Sequence, residues 1–264
     1  MHPLLSIAVR AARSAGNIIL RASTRLDRIK KIEKQPNDFV TDIDQLAERE
    51  IIQQIHYLYP HHGILAEEGG HIQGDDEYVW IIDPIDGTTN FIHGFPHFSV
   101  SIAIQYKGRI EHGVIYDPIK QELFTATRGS GAFLNDQRIR VSQQRRLAGS
   151  LIGTGFPFRH PELLDVYLEM FKKISVEAAG IRRAGSAALD LAYVACGRLD
   201  GFWEFKLSPW DIAAGAILIR ESGGLISDFD GAAAFLETGT VVAGAPKVFK
   251  ELLQTVRNVY SRPL

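Results

Sequence analysis

Val79-Trp80-Ile81-Ile82 carries no polar residue and runs directly into Asp83-Pro84-Ile85-Asp86-Gly87-Thr88-Thr89-Asn90. An unbroken apolar run of this length reads as a strand buried on both faces, which places it inside a covered α/β sheet. Asp83 then falls at the carboxyl end of the strand, where open α/β sheets keep their ligand sites. Glu67, Asp86 and Asp211 likewise sit beside a turn or a helix start. Two carboxylates about 4 Å apart repel by about 4 kcal/mol at an effective dielectric near 20, so three or four converging acids take up protons or hold a cation. Hard oxygen donors without thiolate or paired imidazole favour Mg²⁺, Mn²⁺ or Ca²⁺ over zinc. Any one of these acids alone reads equally well as a turn or cap residue.

The chain has 264 residues, 45% of them hydrophobic, enough for a large core in one domain or two closely packed halves. We take it as one domain, with an α+β half over about 1–145 and an α/β half over about 146–264. Lys and Arg number 29 against 31 Asp and Glu, so overall charge points to neither nucleic acid nor an anionic membrane as main partner. Arg145-Arg146, Arg182-Arg183 and Lys30-Lys31 read as solvated faces; Arg182-Arg183, just before Gly185, is the pair best placed to meet a substrate or partner. The single cysteine, Cys196, excludes an internal disulfide framework, fits a reducing compartment and reads as a small buried hydrophobe. Leu4, Ile7, Ala8, Ala11, Ala15, Ile18 and Ile19 pattern the first segment as an amphipathic helix, with Arg10 and Arg13 unlike a signal peptide. The longest stretch free of charged residues, Gly87 to Tyr106, is broken by Gly94 and Pro96, so no membrane span is expected and the chain reads as cytoplasmic.

Glu33 to Asp38 reads as a polar loop, and Ala47, Ile51, Ile55 and Leu58 mark a second helix starting near Asp42 to Asp44, which Asp44 could cap. Gly63 to Ala66 is a short strand ending in Glu67-Glu68. From Phe98 the period becomes two: Val100, Ile102, Ile104 and Tyr106 alternate with Ser99, Ser101, Ala103 and Gln105. Turns at Lys107-Gly108, Asp117-Pro118 and Asn135-Asp136 separate further strands over Ile110–Tyr116, Glu122–Thr127 and Arg138–Val141, an antiparallel meander. Beyond it the pattern is mixed: strands over Ser150–Thr154, Asp200–Phe205, Leu225–Ser227 and Thr240–Ala243, and helices over Glu162–Ile174, Ser186–Ala195, from Trp210 to Gly223-Gly224, and from Pro246.

Gly87-Thr88-Thr89 sets free amides and hydroxyls directly after the carboxylate pair, and Gly185-Ser186-Ala187-Ala188 offers a second small-residue helix entry. Helix starts of this kind cradle phosphate, and metal-bound acids supply the charge that phosphate needs, so phosphoryl hydrolysis is the expected chemistry. Competing motifs are missing: the sequence has no Gly-x-Ser-x-Gly elbow, no His-Glu-x-x-His and no phosphate-loop lysine. The nine histidines are scattered; His93 and His97, near the acid stretch, read as rim or packing residues and not as ligands.

Asp83 to Phe91, with Trp210-Asp211-Ile212-Ala213-Ala214-Gly215 downstream and Glu67-Glu68 upstream, resembles the inositol monophosphatase family over essentially the whole chain. Met1-His2-Pro3-Leu4, Asn37 to Thr41 and Thr154 to Phe158 make it most similar to the bacterial SuhB branch of that family. The resemblance implies a layered αβαβα sandwich, a homodimer, dependence on two to three Mg²⁺ ions, and inhibition by Li⁺. It also implies roles: Glu67, Asp83 and the Ile85 carbonyl as ligands of a first Mg²⁺, Asp83, Asp86 and Asp211 as ligands of a second, and a looser ion near Glu67. Thr88, bonded to Asp44, would help Glu67 deprotonate the attacking water, and the Gly87 and Thr88 amides would hold phosphate. Asp86, Gly185, Ser186, Ala187, Glu204 and Asp211 would meet the inositol hydroxyls, and Lys34 would ride a mobile loop. Gly69 departs from the Ser that many members carry there. The implied substrate is inositol 1-phosphate or a similar small phosphate ester, with fructose 1,6-bisphosphate and 3′-phosphonucleotides as alternatives. The resembled branch also implies antitermination contacts with RNA polymerase and Nus factors.

Overall fold

The computed structural model describes residues 2–35 and 38–260, with the side chains at 33–35, 38, 75 and 76 outside that description. The expected loop position of the Lys34 side chain therefore lies outside the described residues, as does Asn37. Helix α1 (Pro3–Ser23) begins with proline at its favoured first turn and buries Leu4, Leu5, Ala8, Ala11, Ala12, Ala15 and Ile19. The polar segment expected to be a loop instead forms two strands, β1 (Lys31–Gln35) and β2 (Asp38–Thr41), paired antiparallel with Ile32 opposite Val40. Backbone pairing makes this ribbon, and side-chain periodicity does not report it.

Helix α2 (Asp42–Leu58) starts in a capping box between Thr41 and Asp44 and buries Ala47, Ile51 and Ile55. Leu58, expected on that face, is exposed at the last turn. Strands β3 (His62–Ala66), β4 (Gly70–Ile72) and β5 (Asp75–Asp86) precede the short helix α3 (Thr88–Ile92), and β6 (Ser99–Tyr106), β7 (Arg109–Asp117), β8 (Glu122–Thr127), β9 (Gly131–Leu134) and β10 (Gln137–Arg138) form the meander. β9 is an addition to the expected strands, and the strand expected over Arg138–Val141 shrinks to β10. Together they make an eight-stranded sheet, β10-β9-β8-β7-β6-β5-β3-β4, in which β3 and β5 run parallel.

The remaining elements are β11 (Leu151–Thr154), α4 (Leu164–Glu177), β12 (Gly180–Arg182), α5 (Ala187–Ala195), β13 (Gly201–Glu204), α6 (Pro209–Glu221), β14 (Leu225–Ser227), α7 (Phe235–Thr238), β15 (Val241–Gly244) and α8 (Pro246–Tyr260). Their strands form a five-stranded sheet, β12-β11-β13-β15-β14, in which β11 is parallel to both neighbours. β12 and α7 are elements that the sequence pattern did not mark.

Three apolar clusters show the layering. One joins α1 and α2 to the eight-stranded sheet through Trp80, Ile82, Ile102 and Val114. The next lies between that sheet's other face, α5, α6 and the five-stranded sheet, through Ile81, Ile115, Leu191, Ile217 and Phe202. The third packs α4 and α8 on the far side through Tyr167, Trp203, Val242 and Leu252. The order is α-β-α-β-α, and burying each Leu or Ile contributes about 1.5–3 kcal/mol. This layering corrects the reading of β6: Ser99, Ser101 and Ala103 are as buried as Val100, Ile102 and Ile104, because both faces are covered by helices. No helix among the described residues is long and apolar enough to cross a membrane.

Candidate active site

Parallel pairing places Ala66 beside Ile82, and the Glu67 amide donates to the Ile82 carbonyl at 3.2 Å, so register alone sets Glu67 next to Asp83. Asp83 and Asp86 are three residues apart and in a regular strand would point to opposite faces. The pairing with β6 slips between them, Asp83 facing Ser101 and Asp86 facing Ser99, so one extra residue is accommodated at Pro84-Ile85. That bulge reverses the alternation and turns both carboxylates to one side; proline, lacking an amide to donate, is tolerated there.

Asp211 arrives from the second half. It is the third residue of α6, in a capping box where the Ser208 amide donates to its Oδ2 at 2.6 Å. The Ser101 hydroxyl donates to the Trp210 carbonyl at 3.0 Å and ties this helix start to β6. Oxygens of Asp83, Asp86 and Asp211 lie within 4.8 Å of one another. Burial, then the charges of Glu67, Asp86 and Asp211, push the Asp83 carboxyl well above its ordinary value. Burial raises Asp86 to about 6 against the Ser186 hydroxyl and the amides of 187–189, and burial with the Asp86 charge raises Asp211 to about 7. Asp83 Oδ1 is buried without a hydrogen-bond partner. An orphaned carboxylate oxygen among repelling acids fits a divalent cation.

Gly87 follows with φ 97°, a left-handed backbone, and a Cβ there would stand 3.1 Å from both the Gly185 and His97 carbonyls. It opens α3, whose Thr88 hydroxyl lies 3.0 Å from Asp44 Oδ1 and 2.9 Å from the Ile85 carbonyl. Asp44 divides its two oxygens: Oδ2 accepts from the Thr41 amide at 2.8 Å as a cap, while Oδ1 faces Thr88. Burial raises Asp44 to about 6 against its Thr41 hydrogen bonds.

Cross-bonds join this stretch to the second half. Asp86 Oδ2 accepts from the Ser186 hydroxyl and from the Ala188 amide, the latter at 2.8 Å. Asn90 Nδ2 donates to the carbonyls of His97 at 2.7 Å and Ala184 at 2.9 Å. Glu204 ends β13 with a carboxyl raised well above its ordinary value by burial and then by Asp190, and a Cβ at Gly155 would overlap it. Glu67, Asp83, Ile85, Asp86, Gly87, Thr88, Gly185, Ser186, Ala187, Glu204 and Asp211 all line one cavity of about 900 Å³, with Asp44 behind Thr88.

Further residues line or support this cavity, Asp190 and Glu48 among those not foreseen and Arg183 among those that were. Asp190, buried in α5, has its carboxyl raised well above the ordinary value by burial and by Asp86; in sequence it reads as one polar residue in a small-residue helix. Arg183, from the basic pair singled out above, lies over the Phe156 and Phe158 rings at 5.3 and 5.7 Å, while Arg182 is exposed away from the lining. Glu48, whose carboxylate accepts from the Glu68 and Gly69 amides at 2.9 and 2.7 Å, fastens the turn after Glu67. A Cβ at Gly69 would stand 2.9 Å from Glu48 Oε1, so the departure at that position sits against this clasp. His93 lines the rim with Nδ1 2.9 Å from the Thr89 carbonyl, while His97 is buried outside the lining. Cys196 is half-buried and its thiol donates to the Tyr193 carbonyl at 3.5 Å.

Residues 1–261 match the inositol monophosphatase family. The chain belongs to that family. It is 58% identical over 262 residues to the Nus factor SuhB of Pseudomonas aeruginosa, covering 97% of each chain. Among solved structures, the extragenic suppressor protein suhB of Bartonella henselae superposes with a TM-score of 0.95 at 43% identity, covering 97% of this chain and 99% of that one. The inositol monophosphatase of Anabaena superposes with a TM-score of 0.87 at 39% identity, covering 97% and 95%. Membership in this family, together with an acid cluster able to hold divalent metal, supports a phosphatase.

Proposed function

We propose that the chain is a Mg²⁺-dependent phosphomonoesterase that hydrolyses inositol 1-phosphate and related small polyol phosphates. The observation that carries this reading is the convergence of Asp83, Asp86 and Asp211 within 4.8 Å, with Asp83 Oδ1 buried and without a partner. In it, Glu67, Asp83 and the Ile85 carbonyl would hold one Mg²⁺, Asp83, Asp86 and Asp211 would hold a second, and Glu67 would also help hold a third. Bound Mg²⁺ would neutralise acids and phosphate, make water a better nucleophile and stabilise the leaving oxygen.

The chain's own groups do the rest. The amides of Gly87 and Thr88 bind phosphate oxygens, and Glu67, with Thr88 held by Asp44, orients the water and takes its proton. The water oxygen bonds to phosphorus as the ester P–O bond breaks, the departing alkoxide takes a proton from solvent water, and Glu67 returns its proton to solvent. Asp86, Gly185, Ser186, Ala187, Glu204 and Asp211 hold the hydroxyls of the alcohol. Removal of divalent metal with EDTA should abolish turnover of inositol 1-phosphate and Mg²⁺ should restore it; activity indifferent to EDTA sinks the reading. Much faster turnover of fructose 1,6-bisphosphate or a 3′-phosphonucleotide would reassign the substrate.

The likeness to a relative named Nus factor SuhB supports a second role, contact with RNA polymerase and its Nus factors, and we propose separately that the chain forms a homodimer. Affinity capture with tagged chain should retain RNA polymerase, and an empty capture removes this role.

A further inference from the structure

Asp190 is 2% exposed, yet it lines the cavity. It belongs to α5, whose other buried residues are all apolar. Its amide donates to the Ser186 carbonyl at 3.0 Å, so it stands about 5.4 Å, one helical turn, beyond the serine that binds Asp86. Ala187 lines the cavity from the same helix face, three residues back. Among the described residues no hydrogen bond eases the Asp190 charge; the Arg183 guanidinium is the one influence that lowers its carboxyl. A buried carboxyl without a hydrogen bond is costly, and such a group persists where something uses it.

Two glycines make room for this acid and for a second. β11 runs parallel to β13 with Gly153 beside Phe202 and Thr154 beside Trp203, which carries Gly155 to Glu204. A Cβ at Gly153 would stand 3.5 Å from Asp190 Cγ, and one at Gly155 would overlap the Glu204 carboxylate. After burial, the Asp190 charge is the largest influence raising Glu204, so the two acids are neighbours in the cavity wall. Asp83, Asp86 and Asp211 form the acid cluster that suits a metal, and neither Asp190 nor Glu204 belongs to it among the described residues. Phosphate would be repelled by two acids, and a cationic ligand is disfavoured because Arg183 already supplies positive charge to both. The chemistry that remains is a neutral hydrogen-bond donor, an alcohol hydroxyl.

Resting on the phosphatase reading above, we infer that Asp190 accepts a hydrogen bond from a ring hydroxyl of the alcohol, beside the hydroxyl held by Glu204, and so makes the site prefer polyol phosphates over esters whose alcohol has no free hydroxyl. Hydrogen bonds to a charged acceptor are the strong ones, and a site built to pair a hydroxyl rejects the analogue that lacks it.

The test compares inositol 1-phosphate with cyclohexyl phosphate, the same ring without hydroxyls, in the Mg²⁺-loaded wild type, Asp190→Asn and Asp190→Ala. In Asp190→Asn the ratio of kcat/KM, inositol ester over cyclohexyl ester, should fall about tenfold, chiefly through KM of the inositol ester. Asp190→Ala, which removes the acceptor outright, should lower it further. Asp190→Asn keeps the side-chain volume and removes a buried charge, so in EDTA its Tm should not fall below that of wild type, which excludes misfolding as the cause. Calorimetric binding of free inositol to the Mg²⁺-loaded protein should weaken by the same factor in Asp190→Asn, a readout that stands apart from turnover. An unchanged ratio, or equal losses on the two esters, overturns the inference. If wild type turns over neither ester while inositol binding still weakens in the variant, the phosphatase reading falls and this one stands; unchanged binding in that case overturns both.

Discussion

The acids on the eight-stranded sheet and the groups on the five-stranded side face one cavity but are held by different forces. Glu67, Asp83 and Asp86 are placed by main-chain register and a bulge, so their positions follow from hydrogen-bonded strands buried between two helical layers. Ser186 and Glu204 are placed by a helix start, a strand end and side-chain bonds that cross between the halves, such as Ser186 to Asp86, and Asp211 reaches across from this side to complete the acid cluster. Rigid backbone suits groups that must hold a cation at fixed distances, while helix starts and side chains suit a wall that adapts to an alcohol. The first region should therefore set whether the reaction occurs, and the second which ester enters.

The sharpest way to break this division is to remove one charge from each side. Asp83→Asn should lower kcat for inositol 1-phosphate by at least about 10³-fold, as loss of a group that acts on the reacting centre does, and Glu204→Gln by about tenfold with the change mainly in KM. Equal losses in the two variants would show that the distinction between the regions is false.

A smaller effect sharpens it. Asp211 is raised to about 7 from the ordinary 3.8, so between those values the folded, metal-free chain binds more protons than the unfolded one. Stability then falls as pH rises from about 4 to 7, because deprotonation places a charge in a buried site and restores repulsion with Asp86. Asp211→Asn removes this burden, and in EDTA it should be more stable than wild type at pH 8 by on the order of 2 kcal/mol, an advantage lost by about pH 4. Burial of His97 and His112, both lowered to about 4, acts in the opposite sense but equally in both proteins, so the difference between them reports Asp211 and the relief of its repulsion on Asp83. Mg²⁺ should reverse the order at pH 8 by restoring wild type. Melting curves across pH decide it, and a less stable Asp211→Asn in EDTA would mean that these acids are not in conflict.

Much of the fold and of the candidate site is legible because it is written in short segments. The helical period of residues 3–23, the apolar run ending in Asp83 and the Pro246 start of α8 each depend on neighbours a few residues away. The β1–β2 ribbon escapes because its polar side chains carry no period, and β6 misleads because Ser101 and Ala103 are small polar or weakly apolar residues buried under helices from later in the chain. Asp190 is illegible for the same reason: nothing local distinguishes a carboxylate inside α5 from a solvated one.

Composition and pattern by themselves determine that this chain builds covered α/β layers, that strand ends and a helix start present acids, and that glycine follows Asp86. Tertiary structure alone decides that Asp83 and Asp86 share a face, since that depends on a slipped register against β6. It alone brings Ser186 onto Asp86, 100 residues away, and sets Asp190 on the cavity wall beside Gly153. Local order follows from periodicity and backbone sterics, which act over a few residues, whereas convergence of charge is set by which distant surfaces pack, and packing is a property of the whole chain.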